Sequence, residues 1–401
     1  MSTSARTDRL VGLDVARCLA LVGMVATHVV AARTAEGDLS VGQWVAGGRA
    51  SALFALLAGV GLALVTGGQR PVQGTERTAR SAGIVVRALL IATLGLALGG
   101  LDSGLAVILT NYGLLFLLAT AFLALTARPL LVLGAVWVLL TPAVSHLVRP
   151  GLPARGFDSP TFALVHSPGE FLSELFLTGY YPVLPWLAYL LVGLGVGRLD
   201  LTGPRVPAVL VGVGAGLAVS ATVVSHLVTA RPSVVQALLT QPPATERTGP
   251  ELLDRISTGM FGVTPSGGAW EWLLVVAPHS ATPFDLAQTI GTSLLVLGLC
   301  LLLTQALPEV GTRFVAVLFG AGAMTLSLYS LHVVLRTPGV WPGAGAENYA
   351  ANLLVLLVIG AVFAALRRRG PLEATVRQLS LAAAAVVGQV LTPDVSDRAT
   401  R

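Results

Sequence analysis

Lysine is absent from all 401 residues, so each of the 25 basic positions is an arginine. Charge of either sign is scarce: Asp, Glu, Lys and Arg make up 11 % of the chain, against roughly 25 % in soluble domains. So little charge cannot cover a water-exposed surface, which excludes an ordinary soluble globule. Polar segments long enough to fold alone are also missing, and this removes the two or three domains that one per ~150 residues would give. The two cysteines, Cys18 and Cys300, both fall in apolar runs; they read as small core residues and support neither a disulfide framework nor a metal site. There is no glycine-rich phosphate loop ending in Gly-Lys-Ser/Thr, no His-Glu-x-x-His and no Gly-x-Ser-x-Gly, so ATP-driven transport and hydrolase chemistry of those kinds lose support. A formal charge of +5 does not point to nucleic acid, because the arginines sit mostly in short segments between apolar runs. That distribution is one of membrane topology.

What is present is a succession of hydrophobic stretches of the ~20 residues a membrane helix needs. They cover 10–32, 47–67, 82–100, 104–126, 129–148, 179–197, 205–228, 283–306, 313–335 and 348–366, with 104–126 open to being a short re-entrant piece followed by a helix. The expected fold is all-α: a polytopic bundle of about ten transmembrane helices within residues 1–370, followed by a cytoplasmic tail at 371–401. Residues 371–391 read as a weakly amphipathic helix on the inner surface. Arginine counting places Arg6, Arg9, Arg70, Arg77, Arg80, Arg128, Arg198, Arg205, Arg313 and Arg367, Arg368, Arg369 on one side, and Arg33, Arg149, Arg155, Arg231, Arg247, Arg255 and Arg336 on the other. The bias predicts both termini in the cytoplasm of a cell with this chain in its plasma membrane. Two long connections, 149–178 and 229–282, then face outward. The second holds Pro242-Pro243, the stretch Glu246–Arg255 and a Trp270–Leu274 patch that reads as a half-buried interfacial cap.

Ionisable groups inside a span cost several kcal/mol unless paired or hydrated, which makes them candidates for function. The first span carries Asp14, Arg17 and His28. At ~100° per residue Arg17 and His28 differ by only ~20° around the helix, ~16 Å apart along it, with Asp14 one turn before Arg17 on nearly the same face. Pairing of Asp14 with Arg17 at i, i+3 also accounts for those two without chemistry. Arg49 opens the second span, either as an interfacial anchor or as a guanidinium fork for an anion. Asn111-Tyr112 interrupts another apolar run; a helix cap at Asn111 is the simpler account, and a cavity-lining pair the alternative. Tyr180-Tyr181-Pro182-Val183-Leu184-Pro185-Trp186 reads as an aromatic belt, its two prolines implying an irregular helix start next to a cavity. In the ninth span Thr325, Tyr329 and His332 form a polar stripe, equally a helix-packing network. His332 lies toward the outer end of its span as His28 does in the first, so the two are candidates to line one cavity. The remaining histidines have no metal-ligand spacing.

Asp14-x-x-Arg17, ten residues and then His28 resembles the first-helix signature of the bacterial integral-membrane acyltransferase-three family, and Leu53–Gly59 is similar to its second-helix pattern. Over most of residues 8–377 the closer likeness is to heparan-α-glucosaminide N-acetyltransferase-like proteins, carried by Tyr181–Leu187 with Gly197-Arg198, by Thr325–His332 and by Gly370-Pro371-Leu372-Glu373. One departure stands out. Where the heparan enzyme ends its first helix in Asn and places its histidine in the following outer loop, this chain has His28 and a histidine-free loop from Arg33 to Gly48. Cys18 stands where glycine is usual, a change read as neutral packing.

The resemblance implies acyl transfer. Acetyl-CoA or another cytosolic acyl-CoA is the co-substrate, no metal is required, and a hydroxyl or amine of a sugar or envelope acceptor at the outer face is the recipient. His28 is then the general base with Asp14 and Arg17 completing the catalytic stripe, while Arg49, Asn111, Tyr112, Tyr181, Trp186, Tyr329 and His332 bind donor or acceptor. Membrane lipids are the expected surroundings, nucleic acid is not an expected partner, and a homodimer is compatible. The other reading is a transporter or exporter of a polar or lipid-linked molecule with the buried charges along its path. No convincing internal repeat supports it. A family member serving only as a membrane partner protein is the third.

Overall fold

The computed structural model describes residues 10–153, 159–241, 247–343 and 345–391. Arg6, Arg9, Arg155, Pro242-Pro243, Glu246 and the last ten residues, all used in the sequence reading, lie outside that set. The helices in chain order are α1 (Val11–Val29), α2 (Val41–Ala46), α3 (Arg49–Val65), α4 (Gly74–Gly99), α5 (Leu109–Ala119), α6 (Ala127–Val148), α7 (Pro168–Ser173), α8 (Val183–Gly197), α9 (Arg205–Thr229), α10 (Pro232–Leu238), α11 (Gly249–Ile256), α12 (Pro283–Gln305), α13 (Glu309–Leu318), α14 (Thr325–Leu335), α15 (Tyr349–Ala365) and α16 (Pro371–Leu391). No strand occurs among the described residues. Among the described residues, eight helices are long and apolar enough to cross a membrane, nine if the bent pair Pro168–Thr178 and α8 counts as one, and α5 with its following turn and α14 are shorter apolar helices. The protein is an all-α, multi-pass membrane protein.

Helix packing relies on small residues, as expected where lipid offers no hydrophobic drive for helices to associate. Along the α3–α8 seam, a Cβ at Gly59 would lie 2.4 Å from the Leu190 carbonyl and one at Gly193 2.0 Å from that of Leu56. Only glycine lets the two backbones approach so closely. The seam ends at buried Arg198, whose guanidinium donates to the carbonyls of Ala63, Thr66, Gly68 and Leu123 at 2.7–3.0 Å. It thereby adds side-chain donors to the carbonyls at the end of α3 and ties them to the turn after α5.

Two sequence expectations change, and a third, the irregular start of α8, is met. The span 313–335 is not one helix: α13 stops at Leu318, Gly320–Ala323 forms a 3-10 turn, and α14 begins at Thr325. The cause is close packing, since a Cβ at Gly322 would sit 1.7 Å from the Asp14 carbonyl and one at Gly320 2.5 Å from that of Gly360. The span 104–126 shortens to α5 plus a turn at Thr120–Phe122. Before α8 the chain bends by 51°, because Pro182 has no N–H and the helical ladder restarts at Val183. Residues 371–391 are helical, and α16 runs antiparallel to the first half of α4: Gly83 faces Ser380 and Gly388 faces Ala79.

The connection after α9 builds a small core of its own from Leu238, Leu252, Ile256, Trp272, Val275 and Ala277. The Trp270–Leu274 patch is a turn with Trp272 buried and Trp270 exposed, so it is half-buried as read. Arg33, just after α1, fastens this layer through Asp254 at 3.1 Å and Thr258 at 3.0 Å.

Candidate functional site

The polar residues of α1 divide the interior into two regions, one near each end of the helix. At the later end, His28 Nδ1 lies 3.1 Å from His332 Nε2 on α14. Their ring planes differ by 6° and their centroids are 5.3 Å apart. That separation exceeds the nitrogen contact by about two ring radii, so the imidazoles meet edge to edge in one plane, as a hydrogen bond requires. His332 is fully buried and its Nδ1 has no partner among the described residues. His28 is only half-buried and makes no other hydrogen bond there, which leaves Nε2 as the nitrogen available to a ligand. Arg336, at the end of α14, interacts electrostatically with both rings; burial lowers its own pKa from the usual arginine range. One turn before His332, the Tyr329 hydroxyl accepts from the Ile108 backbone N–H at 3.3 Å.

At the earlier end Arg17 pairs with Asp14 at 3.3 Å, and its guanidinium reaches the α3 backbone at Gly61. Nearby, the Glu373 carboxylate from the first turn of α16 accepts from the backbone N–H groups of Leu326 (2.7 Å) and Ser327 (3.1 Å) and from the Ser327 hydroxyl (2.5 Å). It caps the start of α14, where Met324 supplies no side-chain cap. Arg87 on α4 rests its guanidinium 5.3 Å from the centre of the buried Phe116 ring.

Between these ends, Tyr112 contacts Phe54 and Phe116 and is within electrostatic reach of Tyr329 and Tyr189. Asn111 is not a helix cap: α5 starts two residues earlier, and the Asn111 amide donates to the Tyr181 carbonyl at 2.9 Å. It ties α5 to the irregular start of α8. Arg49 donates to the Trp44 carbonyl at 2.6 Å and interacts electrostatically with Asp285, a buried carboxylate that accepts from the Ala281 N–H at 3.0 Å. Tyr181 and Trp186 join Tyr180 in an aromatic cluster around His279, whose centroid lies 4.7 Å from Tyr180, 5.6 Å from Tyr181 and 6.3 Å from Trp186. His279 has a left-handed backbone, φ 55°, uncommon for a side-chain-bearing residue and found at constrained sites.

The structure thus brings together His28 with His332, Asp14 with Arg17, Asn111 with Tyr181, and Tyr181 with Trp186. Arg49 stands with Asp285, a residue the sequence reading did not select. Asp285 hid inside Thr282-Pro-Phe-Asp285, which has the form of a helix start, and Thr282 does cap Asp285 N. Arg87 lay unremarked within the span 82–100, although a mid-span arginine is itself a signal. His279 and Tyr189 offered no such cue. Among the described residues, no three His, Cys, Asp or Glu side chains are grouped to hold a metal.

Residues 9–230, more than half of the chain, match the family profile described as heparan-alpha-glucosaminide N-acetyltransferase, catalytic. The matched region contains Asp14, Arg17, His28, Arg49, Asn111, Tyr112, Tyr181 and Trp186; Asp285, Tyr329, His332 and Glu373 lie beyond it. No curated protein matches the chain.

Proposed function

Given that the chain belongs to the heparan-α-glucosaminide N-acetyltransferase catalytic family, we propose that it is an acyltransferase working across the membrane it spans. An acyl-CoA, acetyl-CoA first among them, enters from the cytoplasmic side at the Asp14–Arg17 end. A hydroxyl or amine of a sugar or envelope component receives the acyl group at the His28 end. The observation that carries this reading is the His28–His332 contact at one end of α1, with Arg17 eleven residues earlier on the same face. That separation of ~16 Å suits a long, thin donor whose phosphates stay near Arg17 while its thioester reaches the imidazole.

The acceptor oxygen or nitrogen attacks the thioester carbonyl, forming the new acyl bond. His28 Nε2 takes the proton released by the acceptor, and His332 Nε2 accepts the His28 Nδ1–H, which holds the ring in the tautomer that leaves Nε2 basic. As the C–S bond breaks, the same proton passes to the departing thiolate and free CoA leaves. Arg49, Tyr112 and the Tyr181–Trp186 cluster with His279 line the route and bind acceptor or donor; aromatic faces suit a sugar ring. This assignment puts both termini in the cytoplasm and the chain in the plasma membrane, as the arginine distribution favours.

The test is purified protein in nanodiscs with radiolabelled acetyl-CoA and a glucosamine-terminated oligosaccharide or an envelope extract. His28→Ala is expected to lower turnover by at least ~10²-fold. Labelled acceptor formed equally by His28→Ala sinks the proposal. Absence of thioester turnover in the wild type returns the transporter reading to first place.

A further inference from the structure

The motif Gly370-Pro371-Leu372-Glu373 takes no part in the transfer steps and lies beyond the residues that match the family profile. It folds onto Met324–Ser327, at the start of α14. A Cβ at Gly370 would lie 2.6 Å from Met324 Cβ and 2.9 Å from Ser327 Oγ, so glycine lets the chain cross that helix start closely. Pro371 then opens α16 without an N–H to satisfy. The next amide, Leu372 N–H, donates to the Ser327 hydroxyl at 3.1 Å. Glu373 answers in the other direction. Its Oε1 accepts from the Leu326 and Ser327 N–H groups at 2.7 and 3.1 Å, and its Oε2 accepts from the Ser327 hydroxyl at 2.5 Å. Two helix starts, each the positive end of a dipole, thus close on one carboxylate.

The helix held in this way is short. α14 has 11 residues and no side-chain cap of its own, and a 3-10 turn parts it from α13. His332 stands five residues beyond Ser327, roughly 7.5 Å along the axis, and its bond to His28 is 3.1 Å long. Such a bond is lost beyond about 3.5 Å, so a shift of α14 by roughly half an ångström breaks it. A slip by one residue moves His332 by ~1.5 Å and turns it by ~100°. We infer that Glu373 is a positioning residue: from the start of α14 it sets the height and rotation at which His332 meets His28. This deepens the transfer reading and rests on it only for the kinetic consequence. The path from carboxylate through α14 to the imidazole pair stands on hydrogen bonds alone.

Nitrogen-15 NMR of the histidine-labelled full chain in nanodiscs, beside acetyl-CoA kinetics, tests it. Ring-nitrogen shifts report tautomer and hydrogen bonding, and His332→Leu supplies the signal of His28 without its partner. Glu373→Ala is expected to move the His28 signal to that position and to lower kcat about tenfold with KM nearly unchanged. Glu373→Gln keeps an oxygen for the two N–H groups and should retain the wild-type signal and most of the rate. Added to His332→Leu, Glu373→Ala should cost nothing further, because both act through one contact. If Glu373→Ala does not fold, Glu373→Asp decides: it keeps the charge but falls one methylene short, and is expected to move the same signal in the same direction. A wild-type His28 signal in folded Glu373→Ala or Glu373→Asp overturns the proposal. So do equal shifts in Glu373→Ala and Glu373→Gln, or a further loss of rate when Glu373→Ala is added to His332→Leu. A wild type that leaves acetyl-CoA intact while Glu373→Ala moves the His28 signal removes the transfer reading and keeps the positioning role. Turnover by the wild type with that signal unmoved does the reverse.

Discussion

The contact between His28 and His332 joins side chains 304 positions apart in sequence. Each was visible alone, as an imidazole toward the end of an apolar stretch; their hydrogen bond was not, because helix order in a chain does not give helix adjacency in a bundle. If His332 orients His28, His332→Leu should lower kcat by about 10–100-fold, the usual scale for a group supporting a reacting one, with KM nearly unchanged. His332→Gln, which keeps an acceptor near the lost Nε2, should restore most of the loss. Steady-state kinetics on acetyl-CoA with both variants checks this, and equal losses in the two would reduce His332 to packing. The contrast with Asn111 is instructive. Its sequence setting fits a cap, yet its amide is spent on the Tyr181 carbonyl, a partner created by the bend before α8.

Among the elements, α14 shows where hydropathy stops being informative. The stretch 313–335 is long enough for one span, and no proline interrupts its interior. It breaks because Gly322 sits against the α1 backbone at Asp14, and the restarted helix is then capped by Glu373 from α16. Those causes lie in other helices. Gly322→Ala should therefore force α1 and the turn apart, costing about 1–3 kcal/mol or more. A lowered Tm in detergent and loss of activity would follow, whereas Ala at Gly216, which has open space around it, should be tolerated. Equal melting of the two variants counts against the packing account. The α3–α8 seam was more legible, since small residues recur in both stretches, although only the structure shows which glycines face each other.

For the whole molecule, arginine counting treated Arg198 as one more cytoplasmic charge. In the bundle it is buried and fastens the end of α3 and the turn after α5 to the end of α8 through backbone carbonyls. Arg198→Ala leaves two of these acceptors, the Gly68 and Leu123 carbonyls, unpaired at about 1–3 kcal/mol each, whereas those of Ala63 and Thr66 keep backbone donors. It should lower the Tm markedly and shift the protein toward aggregate on fluorescence-detected size exclusion; a wild-type profile would show that water replaces the guanidinium. Composition and the length of the apolar stretches by themselves determined that this is an all-α, multi-pass membrane protein, and helical periodicity placed Asp14, Arg17 and His28 on one stripe, because both depend only on residues near one another in the chain. Tertiary structure alone decided that His28 meets His332, that Asn111 ties α5 to the start of α8, and that Glu373 caps a helix from another part of the chain. Those are contacts between helices, set by which small residues let which backbones close together.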